Sequence, residues 1–98
     1  MGERGNRKDR EEMVMWYRKS AEAGYPDSQY YLAVGYAYGI AGIPKDENEA
    51  GRWLQRAAQG GHRKAQKFLG QAYADGKYGL PVDPKQAEYW TKQSESHS

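Results

Sequence analysis

Trp53 to Gly61 reads W-L-Q-R-A-A-Q-G-G, and a related stretch stands on either side of it, opening at Trp16 and at Trp90. Each tryptophan lies 37 residues from the next. Laid over each other without gaps, residues 16–52 and 53–89 agree at 12 positions, among them Trp16/Trp53, Ala21/Ala58, Gln29/Gln66, Leu32/Leu69, Tyr36/Tyr73 and Asp46/Asp83. Self-similarity at a fixed period of this length marks an array of stacked supersecondary units, each of which buries its apolar face only against its neighbours.

Working outward, the spacing predicts five helices at about 10–23, 28–38, 47–59, 63–75 and 84–95. Met13, Trp16, Tyr17, Ser20 and Ala21 share one face of the first, and Ala50, Trp53, Leu54, Ala57 and Ala58 repeat that face in the third. Asp9, Asp27, Asp46 and Asp83 stand where N-caps belong, the last followed by Pro84 at the first helical position. Gly24, Gly39, Gly61 and Gly76 stand where helices should stop. The loops G-I-A-G-I-P-K and G-K-Y-G-L-P-V share glycine, apolar and proline positions. Residues 1–8 hold two glycines and several charges with nothing to bury, and are expected to be a disordered tail before a repeat domain over 9–96. The fifth helix turns polar at Ser94 and Glu95, as the end of an array requires.

Only 38% of the 98 residues are hydrophobic and the mean hydropathy is −1.12, a dilution that a thin inter-helix seam tolerates. Nine tyrosines and three tryptophans supply large contact area per residue. The net charge of +2 is mild and both signs are interspersed, so no basic stripe points to a membrane surface or to nucleic acid. Cysteine is absent, which excludes disulfides and thiolate metal sites. No stretch reaches the length of a membrane span. Asn6 stands where a myristoylation signal beginning at Gly2 would need Ser or Thr. No compartment is assigned.

The run A-Q-K-F-L-G-Q-A-Y-A-D-G, its glycine-proline loop, and D-P-K-Q-A-E-Y-W closely resemble the Sel1-like repeat, a relative of the tetratricopeptide hairpin. The resemblance covers residues 11–93. It implies an all-α, right-handed α/α solenoid of about two repeats and a leading half-repeat. It also implies that Leu32, Tyr36, Trp53, Leu69, Tyr73 and Trp90 are core, that Ala33, Gly70, Ala57 and Ala58 are close-packing positions, and that the chain is a protein-interaction adaptor or scaffold. Ser28, Ala33 and the wider G-x-x-G loops depart from the family's usual Ala, Gly and G-x-G.

No catalytic constellation is legible. His62 lies at a helix junction and His97 near the end of the chain, neither at a metal-ligand spacing, so surface or capping roles are expected. The carboxylates read as caps or solvated faces, no nucleophile motif is present, and no cofactor or metal is expected. The glycine loops lack the preceding strand of a phosphate loop. In hairpin solenoids the first helix of each pair lines the concave side. There the register places Tyr30, Val34 and Tyr38 from one repeat beside Lys64, Lys67, Gln71 and Asp75 from the next, a candidate site for another protein or a peptide. Tyr31 and Phe68 fall at its margin, where burial between repeats is the alternative. Met13, Trp16 and Tyr17 form a second candidate surface, an open N-terminal edge suited to self-association or stacking. Nucleic-acid binding through Tyr stacking and the Arg63, Lys64 and Lys67 cluster is the least favoured reading.

Overall fold

The computed structural model describes residues 7–40 and 42–96. Five helices follow one another: α1 (Arg7–Glu22), α2 (Pro26–Tyr38), α3 (Glu47–Gln59), α4 (Arg63–Asp75) and α5 (Pro84–Glu95). The first begins at Arg7, so Arg7 and Lys8 are helical and the expected tail is shorter at its inner end; residues 1–6 and His97 lie outside the described residues. Each helix packs on its predecessor and its successor, with α2–α3 and α4–α5 as the tight hairpins. The array is elongated, 52 by 27 by 21 Å, because no helix must reach beyond its neighbours to bury its face.

Local chemistry sets the helix starts. Asp46 and Asp83 accept the backbone N–H groups of Glu49 and Gln86, each at 3.2 Å, and Pro84 opens α5 with no N–H to leave unpaired. Two of the expected caps are corrected. Asp9 lies inside the first turn of α1, since the helix starts two residues earlier. Asp27 sits in the first turn of α2, whose N-cap is Tyr25, because Pro26 with its fixed φ already nucleates the helix one residue ahead. Both aspartates still favour the positive helix end. Gly39 and Gly76 end α2 and α4 in the left-handed conformation.

The core is one continuous seam. Leu32, Leu54 and Leu69 are fully buried, surrounded by alanines at 21, 33, 50, 57, 58, 65 and 72. Ile43 is also fully buried, although it comes from a loop, and it closes against Gly35. Between repeats, the Gln29 side-chain amide donates to the Ala21 carbonyl at 3.0 Å, and Gln66 does the same to Ala58 at 3.1 Å. The expectation that Tyr73 and Trp90 are core is corrected: both are only half-buried. Trp90 belongs to the last helix, and among the described residues nothing packs beyond it. Tyr36 is buried and its hydroxyl accepts from Arg18 Nη2 at 2.5 Å, a bond that raises the guanidinium's affinity for its proton against the opposing effect of burial.

Gly51 faces the backbone of the second loop so closely that a Cβ there would overlap the Tyr78 carbonyl. Tyr78 itself is held at a φ of 59°, an uncommon conformation for a residue with a side chain. Gly51→Ala is therefore expected to cost about 1–3 kcal/mol through overpacking, read as a lower melting temperature. Trp53→Ala should cost about 3–5 kcal/mol, the range for a buried large aromatic, and Trp90→Ala clearly less. Thermal melts of the three variants check the set, and equal losses at Trp53 and Trp90 would contradict the seam.

Candidate functional site

The candidate residues stand at equivalent positions of α2 and α4. Tyr30, Val34 and Tyr38 recur four residues apart along α2, and Lys67, Gln71 and Asp75 stand at the same places in α4 with Lys64 one turn ahead. Tyr38 is 58% exposed at the C-terminal end of α2. Its ring lies 6.3 Å from that of Phe68 on α4, and Phe68 meets Tyr78 edge-on at 5.4 Å. The three rings bridge α2, α4 and the second loop into a single aromatic cluster. Burial first, then the neighbouring Tyr38 and its hydrogen bond, push the Tyr78 phenol above the usual tyrosine range.

Tyr30 is differently placed than its register alone suggests. It is half-buried and stacked on His62, with ring centres 4.5 Å apart. Desolvation, with a smaller effect of Tyr38, raises its phenol as well. His62 caps α4: Nδ1 accepts the Ala65 N–H at 3.1 Å, and Nε2 lies 3.2 Å from the Asp27 carboxylate. This geometry puts the ring proton on Nε2. The capping role expected from the sequence holds, and the Asp27 and Tyr30 contacts could not be read there because they cross between repeats. Gln71 donates to Asp75 at 3.2 Å. Arg63, Lys64 and Lys67 are exposed, and among the described residues none of them enters an ion pair.

The N-terminal edge is open. Trp16 is 71% exposed and Met13 and Met15 at least half so, whereas Trp53, at the equivalent position of α3, is 7% exposed with the Arg56 guanidinium over its ring at 4.9 Å. Tyr17 does not belong to that open surface. It stacks on Tyr31 with ring centres 3.8 Å apart, which places Tyr31 between repeats, where burial raises its phenol. Sequence reasoning left Phe68 at the margin and passed over Tyr78. The available signal was a mismatch between copies, since Tyr78 stands where the first loop has Ala41. Among the described residues no cluster of His, Cys, Asp or Glu could hold a metal ion, and no helix is long and apolar enough to cross a membrane.

Antiparallel helix pairs stacked at a 37-residue period, with an aromatic face along one layer, define an α-helical repeat solenoid. A Sel1 repeat profile matches residues 1–25, 26–62 and 63–96, and the chain belongs to the Sel1 repeat family. Members of this family are generally protein-interaction modules and typically non-enzymatic scaffolds. Among solved structures, a Sel1 repeat protein from Oxalobacter formigenes is 36% identical and superposes with a TM-score of 0.79, over 84% of this chain and 23% of that one. The protective antigen c5321 of uropathogenic Escherichia coli strains, with an SLR fold, is 34% identical with a TM-score of 0.77, over 84% of this chain and 17% of that one. This chain thus spans less than a quarter of the length of either. No curated protein matches it.

The phenols of Tyr30, Tyr31 and Tyr78 are raised in the fold, so above the ordinary tyrosine pKa of about 10 the unfolded chain ionises first. Stability is accordingly expected to fall as pH rises from there, and not below it on account of these groups. Tyr38→Phe should return Tyr78 part of the way to ordinary behaviour. Ultraviolet titration of tyrosinate in the two proteins checks this.

Proposed function

We propose that the α2/α4 face receives a peptide or a partner domain, making the chain an adaptor or scaffold module. The observation that carries this reading is the exposed Tyr38 ring backed by Phe68 and Tyr78 across the seam between repeats. Such a ring is pre-positioned by its neighbours, so it offers contact area at low cost in entropy. In this reading Val34 on α2 and Lys64, Lys67, Gln71 and Asp75 on α4 supply the polar and apolar margin. Tyr30 contributes through its edge only, since one of its faces rests on His62. A pull-down with the whole chain identifies the partner. Tyr38→Ala should then weaken binding by about 2 kcal/mol, as hot-spot truncation does, with a nearly unchanged melting temperature. Full affinity in Tyr38→Ala combined with Gln71→Ala would move the site off this face.

A second reading is favoured by the open side of α1. Met15 and Trp16 line a shallow cleft with Glu12 and Lys19, Met13 is exposed on the same helix, and exposed apolar surface of this kind usually marks contacts. Packing there against a second copy or another repeat would give the stacking role. Sedimentation across a wide concentration range should show association that Met13→Glu weakens while the circular dichroism spectrum stays the same. A monomer at every concentration would remove the self-association form of this reading.

A further inference from the structure

We infer that the ligand of the α2/α4 face is an acidic peptide with an apolar anchor, its carboxylates opposite Arg63, Lys64 and Lys67 and its anchor against Tyr38 and Phe68. This rests on the reading of that face as a docking surface and adds the chemistry of what docks.

The argument is one of uncompensated charge. Three acids lie on or beside the face: Asp27 meets His62, Asp75 accepts from the neutral Gln71 amide, and Glu47, which with Asp75 acts on the Tyr78 phenol, pairs with Lys45. The three cations enter no ion pair among the described residues, so their charge at the start of α4 is left for a ligand to meet, although the chain as a whole carries only +2. They also crowd the positive end of α4. That helix has no acid in its first turn and is capped by an imidazole, where α3 and α5 are capped by the carboxylates of Asp46 and Asp83. Cations at a helix N-terminus oppose the macrodipole, and an incoming carboxylate relieves that repulsion as well as forming its own bonds. Lys67 adjoins Phe68, which holds the aromatic cluster, so charge and apolar contact are within reach of one short segment.

A nucleic acid fits this surface poorly. From Arg63 to Lys67 the helix rises only about 6 Å, and the equivalent places on α2 are Pro26, Asp27 and Tyr30, so no basic track continues for a phosphate backbone to follow. Tyr30 is stacked on His62, and Phe68 meets Tyr38 and Tyr78 at angles, so the rings present no ladder of parallel faces for successive bases.

The test is a selection of short random peptides displayed on phage against the whole chain, followed by affinity measurements on the enriched sequences. Enriched peptides should be rich in Asp and Glu around an aromatic or aliphatic residue. The double variant Lys64→Glu, Lys67→Glu should bind them at least about tenfold more weakly, and added salt should weaken the parent complex as well. Both lysines are exposed, so circular dichroism melts of this variant should match the parent. Neutral or basic peptides that lose affinity in Tyr38→Ala but not in the double lysine variant would overturn the acidic ligand and leave the docking face standing. Peptides indifferent to all these changes would overturn both, and so would a failure of any peptide to enrich. A single-stranded oligonucleotide that outcompetes the peptides, with steep salt dependence, would assign the cations to phosphate instead.

Discussion

The hydrogen bond from a buried glutamine amide to the last carbonyls of the preceding helix couples one repeat to the next. Gln29 reaches Ala21 and Gln66 reaches Ala58, at 3.0 and 3.1 Å, and the same carbonyls accept from Gly24 and Gly61 at the turn. Carbonyls at a helix end lack intrahelical donors and would be costly to bury alone. Satisfying them from the next repeat fixes both the spacing and the orientation of that repeat. The net stability of one such bond is only about 1 kcal/mol, but an error in register would leave the buried glutamine amide unpaired. Leucine and alanine then fill the seam that this geometry defines.

A solenoid makes the fate of a side chain depend on its neighbours more than on its identity. The three tryptophans stand at one repeat position yet range from 7% exposed at Trp53, through half-buried at Trp90, to 71% exposed at Trp16. Trp53 has helices on both sides. Trp90 and Trp16 each stand on an outer helix of the described array, and the interactions that bury the central one are missing there. The loops follow the same logic. Asp46 and Asp83 donate their backbone N–H groups to the Tyr36 and Tyr73 carbonyls at 2.8 and 2.9 Å, tying each loop to the end of its own hairpin.

Individuality enters where the copies disagree. Tyr30 and Lys67, Val34 and Gln71, and Tyr38 and Asp75 are equivalent positions of α2 and α4 with different chemistry. Positions that agree are those the seam needs. Disagreement is tolerated most at the exposed positions, such as Tyr38 against Asp75, whereas Tyr30 is tied into the fold by its stack on His62. Tyr78 is the exception in which an unmatched residue is also strained, held in place by Phe68 on one side and by the close backbone approach at Gly51 on the other.

By itself the sequence determined the family, the number of helices and nearly all of the seam, because these follow from periodicity, which is a local and repeated signal. Leu32, Leu69, Trp53 and the alanines could be placed from the spacing of one repeat against the next. The caps at Asp46 and Asp83 were legible for the same reason, whereas those assigned to Asp9 and Asp27 failed because a helix can start earlier than its best-looking cap. Only the tertiary structure decided which aromatics are free. Tyr30 and Tyr38 look alike in register, but His62, the cap of α4, covers a face of one and leaves the other exposed. Tyr17 and Trp16 are adjacent, yet Tyr31 takes the first and leaves the second open. Contacts of this kind join residues from different helices, and their geometry depends on how those helices cross, which periodicity along a single chain does not encode.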